Sequence, residues 1–350
     1  MNEEVMQEDR VPHKAAFNYF TRVGLAVLLM FVVREVVVIL AVNILDAAAP
    51  GFMALVRNGT YWWFNWLLSV IPLYCFGLPV FMLMLPKAAV PVGEKAKLGF
   101  GKFVSVCFST AAGTYLLNYI GVALLMLLWY VSGGVVGGMD SSTLNYLLNS
   151  SPVWMIFIVT CIIAPIGEEF IFRKLIIDRL KPFGELNACL FSGLMFGLFH
   201  GNLNQFLYAF AIGFIFATVY IKTNNILYTM LIHFGVNFFG SVVSLQVSKF
   251  YTSRLEWFNE VIKNIDNIGT AELIQAALFV LLALALITIV FGSVVAGIVL
   301  FIRYMKKLKF APPVLISERG NIEFWKNPGA IMTIVVLSCV IVRELINLPK

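Results

Sequence analysis

Two carboxylates and a guanidinium stand close together in an apolar segment, the run APIGEEFIFR that ends at Arg173. Near the bilayer centre a charged side chain costs roughly 2.5–3.5 kcal/mol on insertion scales, so such a cluster needs a reason. Glu169 and Arg173 are four residues apart, which puts them on one helical face and allows an ion pair. Glu168 points about 100° away from Glu169 and lacks that partner. An unpaired carboxylate suits a proton-transfer group. The alternative is that both glutamates belong to ion pairs that lock a helix bundle.

The second candidate is His200, which ends the apolar run FSGLMFGLFHG. Glycines recur at every fourth position of this run, at Gly193, Gly197 and Gly201, and such a stripe predicts that another helix packs closely against it. Histidine is costly in an apolar helix and is usually functional there. The alternative is a core histidine that hydrogen-bonds a backbone carbonyl.

The third candidate is the pair His233 and Asn237, which lie four residues apart on one face of another apolar segment. Their side chains can donate hydrogen bonds to one developing oxyanion, or orient around one metal ion. The alternative is a polar seam between packed helices. The remaining histidine, His13, lies in the polar N-terminal segment and is assigned no role.

The composition places these residues in a membrane. Of the 350 residues, 60% are hydrophobic and 13% are charged, and the mean hydropathy is +0.89. These values exclude a soluble globular domain and indicate an all-α polytopic transmembrane protein. The net charge of +6 comes from short basic loops, so the lipid bilayer is an expected partner and nucleic acid is not. Five cysteines stand singly in apolar segments and predict neither disulfides nor a metal-ligand set.

About eight or nine apolar runs are long enough to cross a hydrocarbon core of ~30 Å. Their approximate ranges are 25–46, 62–85, 103–131, 152–177, 186–201, 205–221, 226–248, 273–302 and 329–346. With an inner N-terminus, 17 of the 25 Lys and Arg residues fall in inner segments, 5 in outer segments and 3 within spans. The positive-inside rule therefore predicts a cytoplasmic N-terminus and an outer C-terminus in the cell membrane.

Two further features lie outside the candidate site. The segment 249–272 has apolar residues at helical spacing and is predicted to lie along the outer interface as an amphipathic helix. Two Arg–Glu pairs, Arg34–Glu35 in the first span and Arg343–Glu344 in the last, predict ion pairs between helices of the bundle.

Short connections make the fourth to seventh spans neighbours, so the candidates can converge in a four-helix core. A carboxylate and an imidazole that share a water would form a hydrolytic centre. The motifs EExxxR from Glu168, FxxxH ending at His200 and HxxxN from His233 resemble, in order and residue type, those of the CAAX protease and bacteriocin-processing family. That family consists of intramembrane endopeptidases. The resemblance covers about residues 150–250.

Three parts of the chain follow from the resemblance. Residues 1–150 would hold the N-terminal transmembrane helices, residues 151–250 the catalytic core, and residues 251–350 the interfacial segment and the C-terminal transmembrane helices. The substrate implied is a peptide or protein at the membrane, of CAAX or bacteriocin type.

The resemblance also implies roles for the motif residues. Glu168 would be the general base and would activate water together with His200. His233 and Asn237 would stabilise the oxyanion of the tetrahedral intermediate.

The resemblance leaves the use of a metal open. Glu169 and Arg173 would form a supporting ion pair in either case. If zinc is bound, Glu168, His200 and His233 form a ligand set of the usual type. We favour a metal-free mechanism, because Glu168 is needed as the base.

Two other functions fit the same residues. A non-catalytic membrane protein could use this core as a bacteriocin-immunity or scaffold module, but the presence of every motif residue favours the enzyme. A proton-coupled transporter could use Glu168, His200 and His233 as a relay. This function is less favoured, because no convincing internal repeat is found.

Overall fold

The computed structural model describes residues 13–90, 93–136, 143–314 and 324–346. Within these ranges the chain is α-helical, and its only β-type pairing is an isolated bridge between Val136 and Ile346. The helices are α1 His13–Ala48, α2 Pro50–Arg57, α3 Trp62–Met84, α4 Phe100–Val131, α5 Thr143–Ser150, α6 Val153–Phe183, α7 Glu185–Phe199, α8 Leu203–Thr223, α9 Ile226–Lys263, α10 Thr270–Lys307 and α11 Pro328–Leu345.

Eight helices in the described ranges are long and apolar enough to cross a membrane. They are all of the above except α2, α5 and α7. Helix α7 is apolar but has 15 residues, a length of about 22 Å, which is short of the ~30 Å hydrocarbon core. The all-α, multi-pass bundle of eight or nine spans is thereby confirmed. The side of the membrane on which each terminus lies stays a prediction.

The segment that carries the three motifs lies at the centre of the bundle. In the most apolar 18-residue stretch of each spanning helix, the buried share of the residues is 61% in α8 and 39% in α6, but 0% in α10. Buried side chains from all three predicted parts of the chain form one apolar cluster, in which Phe81, Phe172, Phe216 and Leu337 are fully covered. Helices α6 and α8 are therefore enclosed by protein, whereas α10 presents most of its surface to lipid.

The glycine stripe of α7 packs against α8, as predicted. A β-carbon at Gly193 would lie 2.9 Å from the backbone nitrogen of Phe214, and one at Gly197 would lie 3.0 Å from the carbonyl oxygen of Phe206. Gly201 does not belong to this stripe, because α7 has already ended. Its φ of +70° is left-handed, and this conformation turns the chain from α7 into α8.

The predicted interfacial helix has a different form in the structure. Its first part is helical, but it continues α9 without a break as far as Lys263. A short turn at Ile265–Asn267 then leads into α10. The end of α9 packs on α10 through aromatic rings, with Tyr251 at 4.8 Å and Phe258 at 5.2 Å from the Phe279 ring. These contacts indicate that the end of α9 packs beside α10, and they do not favour a separate helix that lies along the membrane interface.

The two Arg–Glu pairs do not bridge helices in the described ranges. Arg34 pairs with its neighbour Glu35, at 3.0 Å between Nη1 and Oε1, whereas Arg343 and Glu344 are exposed. Helices α1 and α11 do pack together, but through Gly24 and Thr333, where the threonine hydroxyl donates to the glycine carbonyl at 2.8 Å. Each charged pair lies nearer the C-terminal end of its own helix than this contact.

Candidate functional site

Helix α6 holds the two adjacent glutamates in different surroundings. The α-helical stretch Ala164–Glu169 is flanked by two π-helical stretches, Phe157–Ile163 and Phe170–Ile177. Such stretches are frequent at functional sites. The Glu169 side chain is completely buried, while that of Glu168 is 18% exposed. Glu168 is therefore the glutamate that a water or a substrate can reach.

The second glutamate forms the ion pair that its spacing predicts. Nε of Arg173 lies 2.9 Å from Oε2 of Glu169, and both side chains are fully buried. The guanidinium also donates to the hydroxyl of Ser192 on α7 at 3.0 Å and lies 4.9 Å from the centre of the Phe196 ring. The pair thus joins α6 to α7 and has its remaining hydrogen-bonding capacity partly satisfied.

His233 on α9 lies between the two carboxylates. Its Nδ1 is 3.0 Å from Oε1 of Glu169, and its Nε2 is 3.8 Å from Oε2 of Glu168. Because Glu169 is ionised beside Arg173 and can only accept, Nδ1 must carry a hydrogen. The Nε2 atom that faces Glu168 is therefore a donor only when the imidazole is doubly protonated.

His200 caps the C-terminal end of α7. Its Nδ1 lies 2.7 Å from the carbonyl oxygen of Phe196, and this carbonyl can only accept, so Nδ1 carries the hydrogen. The alternative considered for His200, a bond to a backbone carbonyl, is thus present, but it uses one ring nitrogen. In the neutral ring, Nε2 keeps its lone pair and can accept a hydrogen bond. The Phe196 ring lies 5.1 Å from His200 and 5.6 Å from His233, so both histidines flank one phenylalanine.

Asn237 has a partner that sequence reasoning missed. Its Nδ2 donates to the backbone carbonyl of Thr160 at 2.7 Å. In a π-helical turn the donor to that carbonyl would be the N–H five residues later, which is position 165. Pro165 has no N–H, so the Asn237 amide supplies the missing donor. The signal in the sequence was the proline itself, which always leaves an upstream carbonyl without its helical partner.

Two side chains from outside the predicted core also border the site. Arg34 on α1, predicted to lie elsewhere, has its guanidinium 5.7 Å from the ring of Phe199, the neighbour of His200. Tyr74 on α3 lies over Gly167, where a β-carbon would be 2.5 Å from the phenolic oxygen. Their segments carry none of the three motifs, so the motifs alone did not indicate them.

The donor set does not fit a zinc site. A catalytic zinc takes three protein ligands and keeps one open position. In the described ranges, no group of three or more His, Cys, Asp or Glu side chains is placed to hold one ion. Glu168 and His233 approach each other at 3.8 Å, but His200 does not complete a set with them.

The fold and these contacts define a multi-pass membrane protein with a carboxylate–histidine site enclosed in its helical bundle. The model of the family described as type II CAAX prenyl endopeptidase Rce1-like matches residues 150–239. The Bacillus subtilis (strain 168) protein named "Putative membrane peptidase YdiL" is 30% identical over 170 residues, which cover 48% of this chain and 67% of that protein. The chain belongs to this Rce1-like family of membrane proteases.

A second relative matches over a shorter length. The UPF0177 protein YxdF of Lactococcus lactis subsp. lactis is 28% identical over 139 residues, which cover 39% of this chain and 72% of that protein. No solved structure matches the chain. The resemblance drawn from the three motifs is confirmed at the level of the family.

Proposed function

We propose that this protein is an intramembrane endopeptidase that hydrolyses peptide bonds of membrane-associated peptides or proteins. One observation carries the proposal: Oε2 of Glu168 and Nε2 of His233 face each other at 3.8 Å, while Glu169 holds the imidazole from its other side at 3.0 Å. The reactive atoms of a base and of a possible donor therefore point into one space. A fully buried ion pair, Glu169–Arg173, holds the imidazole in place.

In the proposed first step, Glu168 takes a proton from a water molecule as the water oxygen attacks the scissile carbonyl carbon. Nε2 of His200 accepts the second hydrogen of the water and orients it. A C–O bond forms, and the electron pair of the C=O double bond moves to the carbonyl oxygen. The product of this step is a tetrahedral oxyanion.

Two donors stabilise the oxyanion in this scheme. Asn237 has a second N–H on Nδ2 besides the one that Thr160 accepts. His233 donates from Nε2 in its doubly protonated form. Donors fixed in an apolar site stabilise developing charge far more than donors in water. Collapse of the intermediate breaks the C–N bond, and the proton held by Glu168 passes to the leaving amine.

The supporting pair acts through His233. Because Glu169 accepts from Nδ1, the ring cannot rotate away without breaking a buried hydrogen bond to a carboxylate. Arg173 neutralises Glu169 and keeps it an acceptor. The assignment of these six motif residues stays a proposal, as does the division of the chain at residues 150 and 250.

The substrate class follows from the bilayer and from the family. Lipid surrounds the outer helices, so the cleavage site must reach the bundle from the membrane or its interface. The matched family is described as a CAAX prenyl endopeptidase, so prenylated C-terminal peptides are the first substrates to test. Bacteriocin-like peptides rest on the motif resemblance alone. A location in the cell membrane with a cytoplasmic N-terminus remains part of the proposal.

The test is proteolysis in liposomes against a library of prenylated and amphipathic peptides. Wild type, Glu168→Gln and a matched control, Glu256→Gln, are compared with and without a chelator. Glu256 is exposed on α9 and should be neutral. We expect cleavage by wild type and by the control, no cleavage by Glu168→Gln, and no effect of the chelator. Full activity of Glu168→Gln would refute the base, and loss of activity on chelation would refute the metal-free mechanism.

The same assay separates the other two functions. Well-folded wild-type protein that cleaves no peptide would refute the endopeptidase and favour the scaffold. Proton-coupled flux of a peptide without cleavage would favour the transporter.

A further inference from the structure

Tyr74 approaches the helix that carries the proposed base more closely than any ordinary side-chain packing would allow. At Gly167, the residue before Glu168, a β-carbon would lie 2.5 Å from both the phenolic oxygen and the carbon that bears it. Only glycine leaves room for this approach. The hydroxyl therefore lies against the α6 backbone beside Glu168, and it reaches there from α3, outside the segment that the family model matches.

The local structure of α3 holds the ring in this position. Tyr74 lies in a π-helical stretch, Pro72–Gly77, within an otherwise α-helical span. At Gly77 a β-carbon would lie 2.9 Å from the carbonyl oxygen of Met30, so α3 and α1 are in close backbone contact. The π turn changes the register of side chains along α3. The position of the phenol is thus set by two helix contacts rather than by a mobile loop.

No contact within the described residues gives the hydroxyl of Tyr74 a structural role. Among the described residues, it makes no hydrogen bond to a protein group, although its side chain is half-buried. It lies within electrostatic range of Glu168 and Arg34. The hydroxyl oxygen keeps some accessible surface, so a water or a substrate oxygen can reach it and serve as its hydrogen-bond partner. Tyr208 also lies near Glu168, but its hydroxyl interacts with Gln205.

We propose that Tyr74 is a further catalytic residue, whose hydroxyl donates a hydrogen bond to the water that Glu168 deprotonates. This inference rests on the proposed function. A water has two hydrogens and two lone pairs. In the arrangement inferred, its hydrogens go to Glu168 and to Nε2 of His200, one lone pair accepts from Tyr74, and the other lone pair attacks the carbonyl carbon. Fixing the water in this way lowers the entropy cost of the attack.

The test compares Tyr74→Phe with a matched variant, Tyr228→Phe, in the liposome assay. Tyr228 is a tyrosine of α9 whose hydroxyl accepts from the backbone N–H of Leu98 at 3.1 Å. Both substitutions keep the ring and remove one hydroxyl. For Tyr74→Phe we expect kcat to fall about 100-fold, the loss that a misplaced reacting group can cause, with KM and the melting temperature unchanged. For Tyr228→Phe we expect kcat to stay at the wild-type value.

Several results would overturn the inference. They are a kcat of Tyr74→Phe within twofold of wild type, an equal loss in Tyr228→Phe, a rise in KM at constant kcat, and a loss of activity that follows a loss of stability. Each of these requires a wild-type protein that cleaves the library. If wild type cleaves nothing, the proposed function itself fails, and the catalytic role of Tyr74 fails with it.

Discussion

The imidazole of His233 is held by Glu169, whose Oε1 lies 3.0 Å from Nδ1. Two adjacent glutamates thereby take different tasks. The buried one binds a histidine and an arginine at once, and the partly exposed one is left to meet water. The difference arises from helix geometry, since neighbouring residues point about 100° apart, and from the position of α9 beside α6.

Removing either partner of the buried pair is expected to destabilise the protein. Arg173→Ala and Glu169→Gln each leave an uncompensated buried group, which typically costs about 3–5 kcal/mol for a broken buried pair. Thermal unfolding in detergent micelles measures the effect. The control is Lys174→Ala, because Lys174 is 40% exposed in its ion pair with Asp178, and such pairs contribute about 1 kcal/mol or less. Equal losses in Lys174→Ala and Arg173→Ala would contradict this prediction.

Substitution of His200 is expected to affect activity far more than stability. His200→Ala removes one hydrogen bond to the Phe196 carbonyl, worth about 0.5–1.5 kcal/mol. It also removes the acceptor proposed for the catalytic water, so kcat should fall about 10²–10⁴-fold. Parallel measurements of kcat and of the melting temperature test this. A variant that retains activity but melts much earlier would show that His200 is only a helix cap.

Asn237 is expected to have a structural role that depends on Pro165. Asn237→Ala leaves the Thr160 carbonyl without its donor, at a cost of about 1–3 kcal/mol for a buried unsatisfied group. In a Pro165→Ala background a backbone N–H is restored five residues after Thr160, so the same substitution should cost less. A double-mutant cycle on the free energy of unfolding measures the coupling. Strictly additive effects would show that the proline is irrelevant to this contact.

Gly167→Ala is expected to lower activity by displacing Tyr74. The new methyl group would overlap the phenol, whose oxygen lies 2.5 Å from the β-carbon position, and the far end of the ring must move away from Glu168. In a Tyr74→Ala background the overlap disappears, so Gly167→Ala should cause no further loss of kcat. An additional loss in that background would mean that the glycine serves the α6 backbone itself.

The features that follow from the periodicity of a single helix could be predicted from the sequence. The Glu169–Arg173 pair, the packing of Gly193 and Gly197 on the next helix, and the shared face of His233 and Asn237 all depend on the period of one helix. The membrane class, the helical fold and the family likewise depend on composition and on motif order. These properties are local or additive along the chain, so no tertiary structure was needed for them.

The partners of the motif residues depended on the tertiary structure. Each of these contacts joins two different helices. They include the glutamate that binds His233 and the carbonyl that binds Asn237. The presence of Tyr74 and Arg34 at the site depends on helix packing in the same way. Such contacts are set by the rotation, tilt and register of one helix against another, and the spacing within a single helix carries no information on them. The sequence by itself determined which residues could react in this protein, and only the packing of the helices decided which atoms face one another.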